Sequence, residues 1–192
     1  FSPQNRITAE DFTGKRIIKL IVNDICCYAS HTNFDVMGMG DEAAERLALE
    51  ERSVLEITFE DELSQEGIGR VGILPECMTL RECASYVKET FDLDTVKVFG
   101  EEDRKVRKAA VVPGAGKDYI RQAVRAGADV YITGDIGHHD GIDALEQGLT
   151  IIDAGHFGVE QIFVPYMKEF LSRELPSLHL LSARQQEPFW YE

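Results

Sequence analysis

The protein has 192 residues, of which 44% are hydrophobic and 28% charged, a composition typical of a globular protein with a substantial core. Its formal net charge of -14 disfavours binding to nucleic acid or to anionic membrane surfaces, because both carry negative charge. No apolar run approaches the ~20 residues of a transmembrane helix and no secretory signal pattern opens the sequence, so we expect a cytoplasmic protein.

The first part of the chain alternates helical and extended patterns, which predicts an α/β fold. Residues 9–23 place apolar side chains between charged ones at helical spacing and predict a helix. The stretch CCYASHT that follows predicts a short strand. Residues 41–49 predict a second helix, because its acidic first turn suits the positive end of the helix dipole.

The next segments predict a hairpin and a capped helix. Residues 53–59 and 68–74 have the pattern of strands, and the polar, glycine-containing stretch between them resembles a hairpin loop. Thr79 is followed three residues later by Glu82, which is the spacing of a capping box. We therefore predict a helix that begins after Thr79 and ends at about Phe91.

The second half of the chain predicts three consecutive strand–helix units. Such units are typical of a largely parallel sheet that helices cover on both faces. The apolar runs VYIT and TIID show no alternation, as expected for strands buried on both faces. The predicted strands are 96–100, 108–114, 129–135, 150–155 and 179–183, and the predicted helices are 117–127, 140–148 and a last one that ends at about Leu175.

Polar residues follow several of these predicted strands. In open α/β sheets, ligands bind beyond the carboxyl ends of the strands, so residues at those ends are candidates for function. Each candidate histidine has a carboxylate nearby in the sequence. The histidines are His31, His138, His139 and His156, and the carboxylates are Asp35, Asp135, Asp140 and Glu160.

The motif DAGHFGVE places His156 four residues before Glu160 at a strand-to-helix junction. Residues at this spacing lie on one face of a helix, so the imidazole and the carboxylate can converge on one point. This pair suits Zn, Fe, Mn or Co, and the lack of thiolate ligands argues for an open site instead of a closed structural one. The alternative is an ordinary surface pair. HTNFD repeats the spacing with His31 and Asp35, which favours a shared or dinuclear site.

The stretch PGAGK at residues 113–117 superficially resembles a phosphate-binding loop. A P-loop requires a different glycine spacing and a serine or threonine after the lysine, whereas Asp118 follows Lys117. We interpret Gly114 and Gly116 as a tight strand-to-helix turn. Contact between the helix N-terminus and an anionic substrate group is the alternative.

Three motifs together resemble one protein family. They are HTNFD, YITGDIGHHDGIDALEQG, and IIDAGHFGVE followed by a long helix. Over nearly all of its length the chain is similar to the Nif-three-like family, also called GTP cyclohydrolase 1 type 2 homologues. The resemblance implies an α/β fold of two related lobes, a dinuclear divalent-metal site in the cleft between them, and assembly into a homohexameric ring.

The resemblance also implies roles for individual residues. Asp35 would be a metal ligand that could bridge both ions, and His31 would act as a ligand or as an acid/base group beside them. The metal ligands that the family motifs imply are Asp35, His156 and Glu160, and the catalytic or cleft-lining residues are His31, Asp135, His138 and His139.

One family feature is missing from this sequence. Family members carry a His-His-Pro motif immediately before the segment that begins here as FSPQNRI, and those histidines complete the metal pair. We therefore expect residues 1–65 to form an incomplete first lobe and residues 66–192 to form the second lobe. The complete protein is expected to bind two divalent ions, and this chain one or none.

The resemblance implies a metal-dependent hydrolase of the GTP cyclohydrolase 1 type 2 kind, acting on a nucleotide or a related phosphorylated small molecule. The same residues would serve the hydrolysis of another nucleotide or phosphoester, since no motif identifies a guanine pocket. The alternative is a non-catalytic metal-binding scaffold or interaction protein that forms the ring.

Overall fold

A computed structural model of the protein describes residues 5–187 and 189–190, and the chain divides into two compact units, Phe1–His31 and Thr32–Glu192. The first unit contains helix α1 (Phe12–Val22), which Asp11 caps by accepting a hydrogen bond from the amide of Gly14. This helix confirms the prediction for residues 9–23.

The strand predicted at CCYASHT is wrong in this structure. Residues 25–31 form neither helix nor strand, and Thr32 already begins a short helix. A strand requires a neighbouring strand to satisfy its backbone groups. The described residues of the first unit contain no second strand, so the extended pattern alone does not produce one.

The second unit is built on one six-stranded sheet. Its strands in chain order are β1 (Glu50–Glu60), β2 (Gln65–Thr79), β3 (Lys97–Phe99), β4 (Lys105–Ala115), β5 (Val130–Gly134) and β6 (Thr150–Asp153). Their spatial order is β1-β2-β4-β5-β6-β3. Strands β4, β5 and β6 are parallel, as predicted. The β1–β2 hairpin joins antiparallel to β4, and β3 pairs antiparallel with β6 at the other edge.

Every predicted helix of the second unit is present, although the last one is divided into two helices and the helical residues 32–39 were not predicted. They are α2 (Thr32–Phe34), α3 (Gly40–Arg46), α4 (Leu80–Phe91), α5 (Ile120–Arg125), α6 (His138–Glu146), α7 (His156–Glu160) and α8 (Phe163–Glu174), with a π-helix at Asp35–Met39 and a 3-10 turn at Lys117–Tyr119. The capping box of Thr79 and Glu82 is present at the start of α4. None of the described helices is both long and apolar enough to cross a membrane.

The strand predicted at residues 179–183 is also wrong. This stretch forms neither helix nor strand in the structure, and most of it is exposed. Apolar residues such as Leu181 resemble a buried strand in the sequence, but Leu181 is 83% exposed and has no place in the core. Without burial or a partner strand, the local pattern does not determine the structure.

Two hydrophobic layers cover the sheet. On one face, Val111, Ile132 and Ile152 pack with residues of α3, α4 and α7. On the other face, Tyr131 and Ile151 pack with residues of α5 and α6. Neighbouring strand residues point to opposite faces, so strands covered on both faces must be apolar throughout. This explains the apolar runs VYIT and TIID.

The segment from Thr32 to Arg46 is a continuous helix with a π-turn in the middle. The π-turn begins at Asp35, and its flanking residues Phe34 and Gly40 both have right-handed helical backbone angles. Gly40 lies against the backbone of Gly69 in β2, where a methyl group on Gly40 would come within 3.2 Å of the Gly69 Cα. The lack of a side chain at this position lets the helix approach the strand closely.

The predicted lobe boundary lies in the β1–β2 hairpin. Glu60 and Gln65 are paired across its turn, and Gln65 is the first residue of β2. In the structure, β1 and β2 belong to the same sheet as the later strands. The assignment of residues 1–65 and 66–192 to two lobes stays a prediction.

Candidate metal centre

The candidate centre lies where the parallel strands end. Gly114 near the end of β4, Asp135 just after β5 and Gly155 just after β6 all have left-handed backbone angles, with φ of 78°, 59° and 75°. Such angles turn the chain sharply out of the sheet. The turns after β5 and β6 lead into α6 and α7, so α7 begins at this edge with His156.

His156 contacts two carboxylates at once. Its Nδ1 lies 2.7 Å from Oδ2 of Asp135, and its Nε2 lies 3.3 Å from Oε1 of Glu160. The pairing with Glu160 is the convergence that the four-residue spacing in DAGHFGVE predicts. The His156 side chain is 48% exposed, so the group can be reached from solvent.

The arrangement around His156 fits a metal ion on chemical grounds. If Nδ1 carries the proton that it donates to Asp135, the lone pair of Nε2 faces the Glu160 carboxylate. Two acceptor atoms that face each other repel unless a proton or a cation stands between them. A carboxylate on the far nitrogen is also the usual device that orients a metal-binding histidine.

We expect the pKa of His156 to lie above the ordinary imidazole value of 6.5 in the metal-free protein. Burial lowers this pKa, but the hydrogen bond with Asp135 and the negative charges of Glu160 and Asp135 together raise it by more. A raised pKa means that the folded state binds the proton more tightly than the unfolded state. The resulting stabilisation is present below pH 6.5 and is lost as the pH rises through the raised value.

An NMR titration of the His156 ring checks this expectation, with Asp135→Asn as the comparison. The variant should lower the pKa of His156, because the ring loses a charged hydrogen-bond partner. A pKa of His156 at or below 6.5 in the parent protein would contradict the arrangement.

Two glycines allow the elements of the centre to approach each other. A methyl group on Gly114 would lie 2.4 Å from Oε1 of Glu160 and 3.6 Å from Nε2 of His156. A methyl group on Gly134 would lie 2.5 Å from the backbone nitrogen of His156. Gly114 therefore borders the space between the two candidate ligands. The lack of a side chain at Gly134 leaves room for the backbone at the start of α7.

Asp35 begins the π-helix and is partly buried. Burial, followed by the charges of Asp118, Glu56 and Asp35, raises the pKa of Tyr119, so these carboxylates lie within electrostatic reach of its ring. The Tyr119 amide donates to the carbonyl of Gly116, in the turn that follows β4. Asp35 therefore acts electrostatically on Tyr119, the last residue of the 3-10 turn that follows β4.

The other predicted residues are His138, His139 and His31. His138 and His139 begin α6, are exposed, and have ring centroids 5.5 Å apart. His31 is exposed and belongs to the first unit. Across residues 5–187 and 189–190, no group of three or more His, Cys, Asp or Glu side chains is arranged to hold a metal ion. The ligand roles of Asp35, His156 and Glu160 and the catalytic roles of the other residues stay predictions.

Two residues that hold the carboxyl-terminal edge of the sheet together were not among the predicted site residues. Asp153, the last residue of β6, is only 7% exposed and forms an ion pair of 2.8 Å with Lys97. The signal in the sequence was a carboxylate at the end of the otherwise apolar run TIID, since a buried charge requires a partner. The partner could not be identified, because Lys97 lies on β3 and the pairing of β3 with β6 is a tertiary feature.

Comparisons with known proteins agree with the resemblance in the motifs. The family model Duf34/NIF3 (NGG1p interacting factor 3) matches residues 1–188. A Clostridium acetobutylicum protein named GTP cyclohydrolase 1 type 2 homolog is 37% identical, over 100% of this chain and 74% of its own length. A Streptococcus pneumoniae protein of the same name is 38% identical, over 90% of this chain and 65% of its own length.

A solved structure supports the same relationship. The crystal structure of a Bacillus cereus protein related to NIF3 superposes with a TM-score of 0.87 and is 26% identical, covering 100% of this chain and 80% of that one. This similarity confirms the predicted α/β fold of the family. The chain belongs to the Duf34/NIF3 family.

Proposed function

We propose that this protein is a metal-dependent hydrolase that acts on a nucleotide or a related phosphorylated small molecule. The observation that supports the proposal most is the position of His156, with Asp135 on one ring nitrogen and Glu160 facing the other. Imidazole and carboxylate ligands suit divalent ions that activate water. The name GTP cyclohydrolase 1 type 2 homolog, carried by the similar bacterial proteins, agrees with this class of reaction.

In the proposed site each residue has a distinct task. Nε2 of His156 and Oε1 of Glu160 would hold the metal ion, while Asp135 would keep the proton on Nδ1 and fix the ring orientation. When bound, the ion would supply a Lewis acid and a source of hydroxide at neutral pH. The rings of His138 and His139 would accept or donate protons at their nitrogens during hydrolysis.

The proposal extends to features that rest on the family resemblance alone. Asp35 is the proposed bridging ligand, and His31 is a proposed ligand or acid/base group. Binding of two divalent ions (Zn, Fe, Mn or Co) and assembly into a homohexamer are likewise predictions for the complete protein.

A non-catalytic metal-binding scaffold is the second candidate. The exposure of the centre favours it, because the side chains of His156 and Glu160 are 48% and 41% exposed. Enzymes of this kind usually exclude bulk water around the reacting groups. A protein that takes up and releases a metal ion, or presents it to a partner, does not need this exclusion.

A turnover experiment separates the two candidates. The purified protein would be loaded with Zn²⁺, Mn²⁺, Fe²⁺ or Co²⁺ in separate samples and incubated with a panel of nucleotides, with product followed by chromatography. We expect Glu160→Gln to lower turnover by at least ~100-fold, because it removes a ligand charge at the centre. The matched control is Glu174→Gln on α8, which changes an exposed carboxylate paired with its neighbour Arg173.

The outcomes differ clearly. Turnover that is lost in Glu160→Gln and kept in Glu174→Gln supports the hydrolase. No turnover with any nucleotide, together with metal binding that Glu160→Gln abolishes, favours the scaffold instead. Turnover by the parent protein that is kept equally in both variants contradicts a role of Glu160 in hydrolysis.

A further inference from the structure

We propose that Asp153 and Lys97 are positioning residues that set the relative placement of Asp135 and His156. The inference deepens the proposed function, since it concerns the same centre and rests on a role for His156 there. Both residues act through backbone groups of the two turns, because Asp153 accepts hydrogen bonds from two backbone amides and Lys97 donates one to a backbone carbonyl.

The carboxylate of Asp153 holds the two turns that carry the centre. Its Oδ2 accepts a hydrogen bond of 3.0 Å from the amide of Ile136, the residue after Asp135. Its Oδ1 accepts a hydrogen bond of 3.0 Å from the amide of Gly155, the residue before His156. One side chain thus links the β5–α6 loop to the start of α7.

Lys97 completes this link from the neighbouring strand. It lies directly opposite Asp153 in the β3–β6 pairing, and its Nζ is 2.8 Å from Oδ2 of Asp153. The same Nζ donates a hydrogen bond of 2.7 Å to the carbonyl of Ile136. Lys97 therefore compensates the charge of a carboxylate that is only 7% exposed, and it also holds the β5–α6 loop directly.

The backbone angles explain why such a link is needed. Asp135 and Gly155 both have left-handed conformations, with φ of 59° and 75°. For a residue with a side chain this conformation is unfavourable, so the surrounding structure must maintain it at Asp135. Loss of the link should let Asp135 relax and lengthen its hydrogen bond of 2.7 Å to His156.

The position of the proton on the neutral His156 ring tests the inference without any metal. Nitrogen-15 NMR at a pH above the titration of the ring reports which nitrogen carries the proton. We expect the proton on Nδ1 in the parent protein, where Asp135 accepts it. In Asp153→Asn and in Lys97→Met, we expect loss of this preference and a shift of the proton toward Nε2.

Two features make the test specific. Asp153→Asn preserves the size of the side chain, yet its amide nitrogen cannot accept a hydrogen bond from a backbone amide. The matched control is Thr150→Val on the same strand, which removes the partly buried hydrogen bond from Thr150 to the carbonyl of Asp129. This control should lower stability without changing the protonated nitrogen of His156.

Lys97→Met serves as the second variant, because the Lys97 side chain is 56% exposed and its replacement should not prevent folding.

The position of the His156 proton tests the positioning role of Asp153 and Lys97 whether or not the protein is a hydrolase. A proton that stays on Nδ1 in both variants, or that moves equally in Thr150→Val, overturns the positioning role. Zinc affinity measured by calorimetry on the same proteins should fall ~10- to 100-fold in Asp153→Asn if His156 is a ligand. If the parent protein binds none of the Zn, Fe, Mn and Co ions, the proposed function fails, while the proton measurement still decides the role of Asp153 and Lys97.

Discussion

Replacement of Gly134 by alanine is expected to lower the free energy of unfolding by about 3 kcal/mol, the upper end of the range for overpacking a close contact. The added methyl group would lie 2.5 Å from the backbone nitrogen of His156 and 2.6 Å from the backbone carbon of Gly155. Backbone atoms at this junction cannot rotate away as a side chain can. Relief of the clash therefore requires α7 to move away from β5, which also displaces His156. Urea denaturation of parent and variant measures the loss.

Gly137→Ala is the matched control for this prediction. Gly137 lies three residues later, in the loop after β5, and a methyl group there would meet the Asp140 carboxylate, 2.7 Å away, which can rotate. Gly137 is also the N-cap of α6, so alanine should cost no more than about 1 kcal/mol. Equal losses for Gly134→Ala and Gly137→Ala would contradict the tight junction between β5 and α7.

Replacement of Asp41 by alanine is expected to lower the free energy of unfolding by about 2–3 kcal/mol. Arg70 is only 5% exposed, and its guanidinium forms two parallel bonds of 2.6 Å with the Asp41 carboxylate. Within the described part of the chain, removal of the carboxylate leaves a buried cation with the carbonyls of Gly67 and Gly69 as its remaining partners. The expected loss lies below the value for a fully buried pair, because the Asp41 side chain is 53% exposed.

The neighbouring ion pair provides the control. Glu42 pairs with Arg46 one turn along α3, at 2.7 Å, with the Arg46 side chain 35% exposed. Such exposed pairs contribute little, so Glu42→Ala should cost less than about 0.5 kcal/mol. A loss in Asp41→Ala as small as that in Glu42→Ala would show that Arg70 does not depend on Asp41. The Asp41–Arg70 pair joins the helical segment that begins at Thr32 to β2. Because Asp35 lies in the same segment, loss of the pair should also affect the position of Asp35.

Much of the fold could be predicted because local signals and tertiary structure agree. The capping box at Thr79 and the polar loop between β1 and β2 are local features, and both are found in the structure. Strands β5 and β6 were identifiable because burial on both faces requires continuous apolar runs. The two wrong strands, at CCYASHT and at residues 179–183, have suitable residues but no strand partner in the described part of the chain.

The candidate centre was predictable only in part, for a physical reason. The pairing of His156 with Glu160 follows from helix geometry alone, and the structure shows it. The hydrogen bond from His156 to Asp135 depends on the neighbouring positions of β5 and β6, which no local pattern specifies. The π-turn at Asp35 is likewise absent from the sequence signals, although such turns are frequent at functional sites.

X-ray absorption at the zinc edge of the zinc-loaded protein shows whether His156 and Glu160 hold a divalent ion. We expect imidazole scattering from the ligands of the ion in the parent protein, and its reduction or loss in His156→Ala. Identical zinc spectra of the two proteins would mean that the ion is bound without His156, and the metal site proposed at His156 and Glu160 would be wrong.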